Sequence, residues 1–339
     1  MGKGSKGNRG GRPAGKNGKK NKMPLRAVLA GAVILLAVLG IFAVRASRPR
    51  YEWYVEAGLE PAWRRVINSA GPPGSFKKEP VVLAAGEKAP ENPGGFVITT
   101  RREETEAPLI IYPRLSFTLE YEGAHVLALD PWMIFRQHTF PSLSRRRIES
   151  TAGGTGILAL PGSDPATVRA WTARIVQEGP GIFPPDQAAW DAAAASLFED
   201  NRFRKGSNTF TWQDMWYFLF DNEPAWVYAP LSRVRELPNY RSSILAADPF
   251  PEPGSVNTIG FQARILWALP AGNAKNQAKL TRALEWLKSA ETQTIIADTL
   301  RWLPANPEGQ PYDPAAMSAR LAWLTASYVW EDGKPEERF

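Results

Sequence analysis

Histidine and cysteine are the first residues to count, because most metal, redox and nucleophilic chemistry runs through them. The chain of 339 residues has no cysteine and only two histidines, His125 and His138. That excludes disulfides, Cys-ligated metal centres and thiol nucleophiles. The two histidines are thirteen residues apart with no acid at ligand spacing, so they read as structural or surface groups. No HExxH, GxSxG, EF-hand or P-loop pattern occurs. The cluster Gly153, Gly154, Gly156 lacks both GxGxxG spacing and a following Lys-Ser/Thr pair. The carboxylate pairs Glu103-Glu104 and Glu199-Asp200 read as solvated. A glycosidase would need two carboxyl groups at a separation that only the fold sets. The expectation is a protein that is not an enzyme, with no cofactor and no metal.

Binding chemistry is better represented. Polar ligands are commonly held in a concave site by aromatic faces and a few fixed hydrogen-bonding groups. Trp132 follows Asp130-Pro131 at the end of an expected strand, and open α/β sheets bind ligands at strand ends. Trp226 and Tyr228 flank Val227 in an expected strand and so project from one face. Arg233 and Asp130 could supply charge, and Trp267 is a further ring for a cleft wall. For any one of these aromatics, packing in the core is the stronger reading.

Strands alternating with helices position these groups. Short apolar runs at Val81–Ala85, Phe96–Thr99, Leu109–Tyr112, His125–Leu129 and Gly156–Leu160 read as strands. A helix is expected around Leu59–Ser69. From residue 161 helices alternate with strands. Asp164-Pro165 opens a helix through about Gln177, Asp186 caps a second, and Thr211 with Asp214 forms a capping box for a third. Pro224–Ala229, Ser243–Ala247 and Phe261–Pro270 read as strands, and Asp313-Pro314 starts a helix to about Trp330. The stretch 278–309 carries Leu280, Ala283, Leu284 and Leu287 at helical spacing. Ser289 is an N-cap for a second helix burying Ile295, Ile296, Thr299 and Leu300, stopped by Pro304 and Pro307. This alternation is that of α/β layers, and apolar content of 44% is ample for a packed core.

The net charge of +7 is a property of one end. Residues 1–26 hold nine basic residues and no acid, leaving 32 basic against 34 acidic residues elsewhere. Such a Gly/Lys/Asn/Arg tail cannot bury enough surface to fold. Residues 27–44 carry no charge and would span roughly 27 Å as a helix, close to the hydrocarbon thickness. An uncleaved signal-anchor fits this length better than a cleaved signal peptide, and the basic excess puts the tail on the cytoplasmic side. The tail reads as a topology signal with no specific nucleic-acid partner.

The order strand, helix, Ser-x-Glu-x-Gln, helix, Leu-Pro-Ala-Asn in 261–306 resembles one family. Ala283, Trp286, Leu287, Ser289, Glu291, Gln293, Ala297, Leu303 and Pro304 match the carboxy-terminal part of bacterial extracellular solute-binding proteins of ABC transporters, sugar-binding type. The resemblance implies a two-lobed, periplasmic-binding-protein-like α/β fold, here preceded by a single N-terminal transmembrane helix. It implies a first lobe over 51–160 with 255–309 returning to it, a second over 161–254 with 310–330 joining it, and a charged tail at 331–339. It also implies a small polar ligand such as a carbohydrate, held between the lobes; the residues singled out above to meet it there are Asp130, Trp132, Trp226, Tyr228, Arg233 and Trp267. ABC permease subunits would be partners, the membrane would be met through 27–44, and the main domain would lie outside the cytoplasmic membrane. The region before residue 130 is short for a first lobe, and the chain stops one helix after Pro314. The alternative is a structural or interaction protein that keeps the fold without transporting a ligand.

Overall fold

The computed structural model describes residues 32–40, 51–84, 87–90, 94–101, 107, 109–113, 115, 119–142, 157–178, 186–199, 201–220, 225–238, 244–249, 260–272, 277–309 and 313–332. The basic tail, half of 27–44, Glu103-Glu104, the 153–156 glycines, residues 250–254 and residues 333–339 lie outside them. Residues 1–49 and 50–339 are separate compact units. In the first, residues 32–40 are helical, with Val33, Ile34, Leu35 and Leu36 exposed. No helix among the described residues is long and apolar enough to cross a membrane.

In the second unit β1 (Glu52–Glu56) leads into α1 (Glu60–Ala70). β2 (Val81–Leu83), β3 (Gly95–Thr99), β4 (Leu109–Pro113) and β5 (Glu120–Tyr121) precede the long β6 (Ala124–Gln137). β7 (Leu158–Ala159), α2 (Pro165–Glu178), α3 (Gln187–Ser196), α4 (Trp212–Phe220), β8 (Trp226–Pro230), α5 (Leu231–Arg235) and β9 (Leu245–Asp248) follow. The chain then forms β10 (Gly260–Ala271), α6 (Gln277–Lys288), α7 (Ala290–Leu300), β11 (Leu303–Pro304), α8 (Pro314–Thr325) and β12 (Tyr328–Asp332).

Two long strands organise the sheet. The first half of β6 runs antiparallel to β10, from His125 opposite Ala268 to Pro131 opposite Ala263. Beyond β10 on this side lie β3 and then β1, with β2 parallel to β1 at the edge. The second half of β6 pairs instead with β8 and β9, and β7 lies parallel to β8. The start of β10 pairs with β12, which joins β4. β6 and β10 therefore carry the chain between two groups of strands. Gly95 is required where β3 meets β1: a Cβ there would stand 1.9 Å from the Glu52 carbonyl oxygen.

The expected helix starts are present. Asp164, Asp186, Ser289 and Asp313 each accept a backbone N–H of the first turn, and Thr211 and Asp214 bond reciprocally. Four expectations need correction. The apolar run at His125–Leu129 belongs to a strand that continues to Gln137. Asp130-Pro131 does not end it, because β6 changes partners there: β11 stops opposite Ala128 and Leu129, and β8 begins opposite Trp132. The helix from Pro314 ends at Thr325 rather than near Trp330, and Tyr328–Asp332 is recruited between β4 and β10. Residues 51–80 hold β1 as well as a helix. In α7 the buried side chains are Thr292, Gln293, Ile296 and Ala297, while Ile295, Thr299 and Leu300 are half-buried.

Candidate functional site: the floor between two apolar clusters

Strand alternation, interrupted by one register shift that puts Ala128 opposite Leu266 but Val126 opposite Trp267, gives the β6–β10 pair two unlike faces. On one, called the back, Val126, Leu129, Met133 and Phe135 of β6 join Ala263, Ile265 and Trp267 of β10 in a continuous apolar cluster with residues of α4, α5 and α8. The other, the front, carries two separate clusters. At one end Leu127, Ala128, Leu266 and Ala268 pack under α1, α6 and α7. At the other Ile134, with Trp226 and Tyr228 of β8, packs against Ala170 and Trp171 of α2. Between them the front-facing positions are Asp130 of β6 and Gln262 and Arg264 of β10, with Trp132 of β6 at the border, packed against the second cluster. Solvent reaches this floor: the Arg264 side chain is 50% exposed, and Trp132 is half-buried.

Asp130 is fully buried, and a charge in that position has to be paired and hydrogen-bonded. The change of partners along β6 supplies the means. α5 fills the gap between β11 and β8, and its Ser232 donates to Asp130 through the backbone N–H at 2.9 Å and the hydroxyl at 2.7 Å. Arg264, opposite Asp130 in the ladder, donates Nη2 at 3.0 Å. The Arg264 guanidinium lies over the Trp302 ring at 4.9 Å. An ion pair with one partner seated on an indole is thus fixed at the bottom of the floor.

A second polar group meets the floor from α2. Arg174, buried, donates Nε to the Tyr228 hydroxyl at 3.0 Å and Nη1 to Gln177 Oε1 at 2.9 Å. The Tyr228 hydroxyl donates to Gln262 Oε1, and Gln177 donates to the Tyr328 hydroxyl at 3.0 Å. The Arg174 guanidinium stands near the Tyr228 and Trp330 rings, 5.4 and 5.1 Å from their centroids. A third lies at the strand ends. β3 runs antiparallel to β10, so its carboxyl end points along β10 towards Arg264. There Glu56, at the end of β1, accepts from Thr99 Oγ1, Thr100 N–H and Thr100 Oγ1 at 3.0–3.1 Å. The carboxyl ends of parallel strands are where open α/β sheets place ligands.

The residues singled out from sequence are distributed as follows. Asp130 lies on the floor and Trp132 at its border. Trp226 and Tyr228 do share one strand face, but both are enclosed, at 2% and 0% exposure. Trp226 donates Nε1 to the Pro141 carbonyl at 3.2 Å; Tyr228 meets the floor through its hydroxyl, bonded to Gln262, and through its ring, 5.3 Å from that of Trp132. Trp267 is fully buried on the back, 5.2 Å from the Tyr112 ring, because alternation sets it opposite to Leu266. Arg233 lies on the outer side of α5, 3.3 Å from Glu236 and over the Trp212 ring at 5.6 Å. Sequence reasoning missed Arg264, Gln262, Ser232 and Arg174. A signal for the first two exists: within FQARILWALP they are the polar residues, two apart, on one face of an otherwise apolar strand.

The Ser-x-Glu-x-Gln motif turns out to hold structure together. Gln293 is 1% exposed and accepts the Asn306 backbone N–H, and Asn306 returns a bond to the Lys288 carbonyl at 2.9 Å. Buried Arg320 donates to the Pro304 and Ala305 carbonyls, and burial lowers its pKa to about 10, so it stays charged at neutral pH. His125 is buried with Nδ1 3.3 Å from Glu120. Burial first, then Lys288, lowers its pKa against the opposing pull of Glu120. Among the described residues no group of His, Asp and Glu could hold a metal ion.

No protein-family model matches this sequence, and no curated protein matches it. Solved structures do. A probable secreted solute-binding lipoprotein from Streptomyces coelicolor superposes with a TM-score of 0.56 at 11% identity, over 81% of this chain and 86% of that one. The bacterial solute receptor AcbH, described as having an exclusive preference for β-D-galactopyranose, gives 0.54 at 13% identity over 83% and 88%. These likenesses are of fold: the chain has an α/β, periplasmic-binding-protein-like architecture.

Proposed function

We propose that residues 51–339 capture a small polar solute on the front face of β6–β10, for delivery to an ABC transporter. The observation that carries this is the interruption of an otherwise apolar strand pair by Asp130, Arg264 and Gln262, with Trp132 at the border, between two separate helix-covered clusters. A buried ion pair costs desolvation that an apolar pair would avoid. Its presence with a half-exposed arginine fits a site made to meet a polar molecule. Two lobes divided at this floor, with β6 and β10 as the crossing strands, would close over it. The activity is binding rather than catalysis. The uncharged stretch 27–44 and the basic residues before it support a tether to the cytoplasmic membrane with the folded domain outside.

A thermal-unfolding screen against sugars, amino acids and nucleosides tests the capture, since a ligand bound only by the folded state raises stability by mass action. A rise saturating with one compound class is expected; no rise with any class rejects the reading. For the tether, protease added to spheroplasts should digest the bulk of the protein, and full protection would reject the orientation. One observation favours the alternative of an interaction protein without a ligand: Trp226, Tyr228 and Trp267 are spent on packing. Under that reading the screen stays silent.

A further inference from the structure

The hydrogen-bonding capacity left on the floor is one-sided. Both oxygens of Asp130 are engaged, one by the Ser232 N–H and the other by the Ser232 hydroxyl and Arg264 Nη2. Arginine has donors only; Nη2 of Arg264 gives one of its two hydrogens to Asp130, and its other hydrogen, Nε and Nη1 have no partner among the described residues, which leaves one two-hydrogen edge that includes Nη2. The network from α2 fixes Gln262 as well. Arg174 Nε can only donate, so the Tyr228 oxygen accepts from it and sends its own proton to Gln262 Oε1. The carbonyl end of this buried amide is therefore occupied, and its NH2 end has no partner among the described residues. Gln262 and Arg264 are two positions apart on one strand face, about 7 Å between Cα atoms.

We propose that the ligand carries a carboxylate or an equivalent oxyanion, received by the outward edge of Arg264 beside the Gln262 amide, with its body against Trp132. This rests on the solute-binding reading and narrows it. A neutral sugar presents hydroxyls that each donate as well as accept, while the Asp130 oxygens and the Gln262 carbonyl already hold donors. An oxyanion only accepts, and matches the donors left on Arg264 and Gln262. The planar fork of an arginine suits a carboxylate in two-point contact. Trp302 beneath the guanidinium and Asp130 at its other edge hold that fork in place, so little freedom is lost on binding.

The test uses the full chain in detergent, with calorimetric titration and thermal unfolding against galacturonate, succinate and inorganic phosphate on one side and galactose and glucose on the other. An acid should bind and raise the melting temperature while the neutral sugars do not. Arg264→Lys keeps the charge beside Asp130 but loses the fork, and should weaken the acid at least about tenfold. Arg264→Gln should abolish it, with the ligand-free melting curves of both variants checking the fold. Phosphate binding alone, lost in the same variants, supports the oxyanion site and identifies the group. Neutral sugars binding while acids do not would overturn the inference and leave solute binding standing. Acids binding both variants as tightly as the parent would overturn it too, placing the acid elsewhere. Silence from every probe, together with a silent general screen, would bring down both readings.

Discussion

The two faces of β6–β10 are built from alternating residues of the same two strands, yet they do opposite things. The back is one uninterrupted apolar cluster that ties both ends of the strands to α4, α5 and α8. The front is apolar at its ends and charged in the middle. The contrast shows that a strand pair can be packed along the whole of one face while the other keeps charged groups within reach of solvent. It also separates stability from recognition: substitutions behind the strands should read out in unfolding, and substitutions in front should read out in binding.

The largest effect is expected behind. Trp267→Ala removes a fully buried ring from the back cluster and should cost about 3–5 kcal/mol, measured by chemical denaturation. A loss well under 1 kcal/mol would mean the back is not packed as described. Trp226→Ala, in the front cluster under α2, should fall in the same range, and a preserved stability with lost binding would return that ring to the ligand.

Asp130→Ala comes next. It removes the acceptor for Ser232 and Arg264 and should cost about 2 kcal/mol, below a fully buried pair because Arg264 is half in water. Since this carboxylate also orients the arginine, affinity should fall together with stability. An unchanged affinity would break the link between the pair and the ligand. Arg264→Lys should then change stability by under about 1 kcal/mol, the clean front-face case. A loss as large as that of Trp267→Ala would erase the distinction between the faces.

The smallest effect concerns pH. His125, at the front of β6 beside the α6–α7 cluster, has its folded pKa held below the ordinary value of 6.5, chiefly by burial. The neutral ring is what folding favours, so this contribution is complete above that value and is lost as the pH falls through the lower folded pKa. Stability measured from pH 7.5 down to 5 should therefore decline, and His125→Gln should flatten the decline. An unchanged slope would assign the acid sensitivity to other groups.

How much was legible follows from the range of each interaction. A cap reads only the next three residues, so Asp164, Asp186, Ser289 and Asp313 announced their helices in the sequence. Periodicity did the same for α6, whose Leu280, Ala283 and Leu287 are buried as spaced. The shared face of Trp226 and Tyr228 follows from the two-residue repeat of a strand. Which partner covers that face does not, because α2 reaches it from fifty residues away, and the rings became packing rather than cleft wall. Asp130-Pro131 looked like a strand end because proline gives no ladder donor; only the switch from β11 to β8 along β6 lets the strand run through it. Tyr328–Trp330 looked like more helix, and Glu331 and Asp332 like charged tail, until β4 and β10 claimed them. The arginine opposite Asp130 is 134 positions away in the chain. The sequence by itself settled the capped helix starts, the α/β alternation and the charge of the tail, since those depend on neighbours a few residues apart. The tertiary structure alone decided which face of β10 lies opposite which face of β6, and with it which polar residues meet. That pairing is fixed by register between distant segments, and no local propensity encodes it.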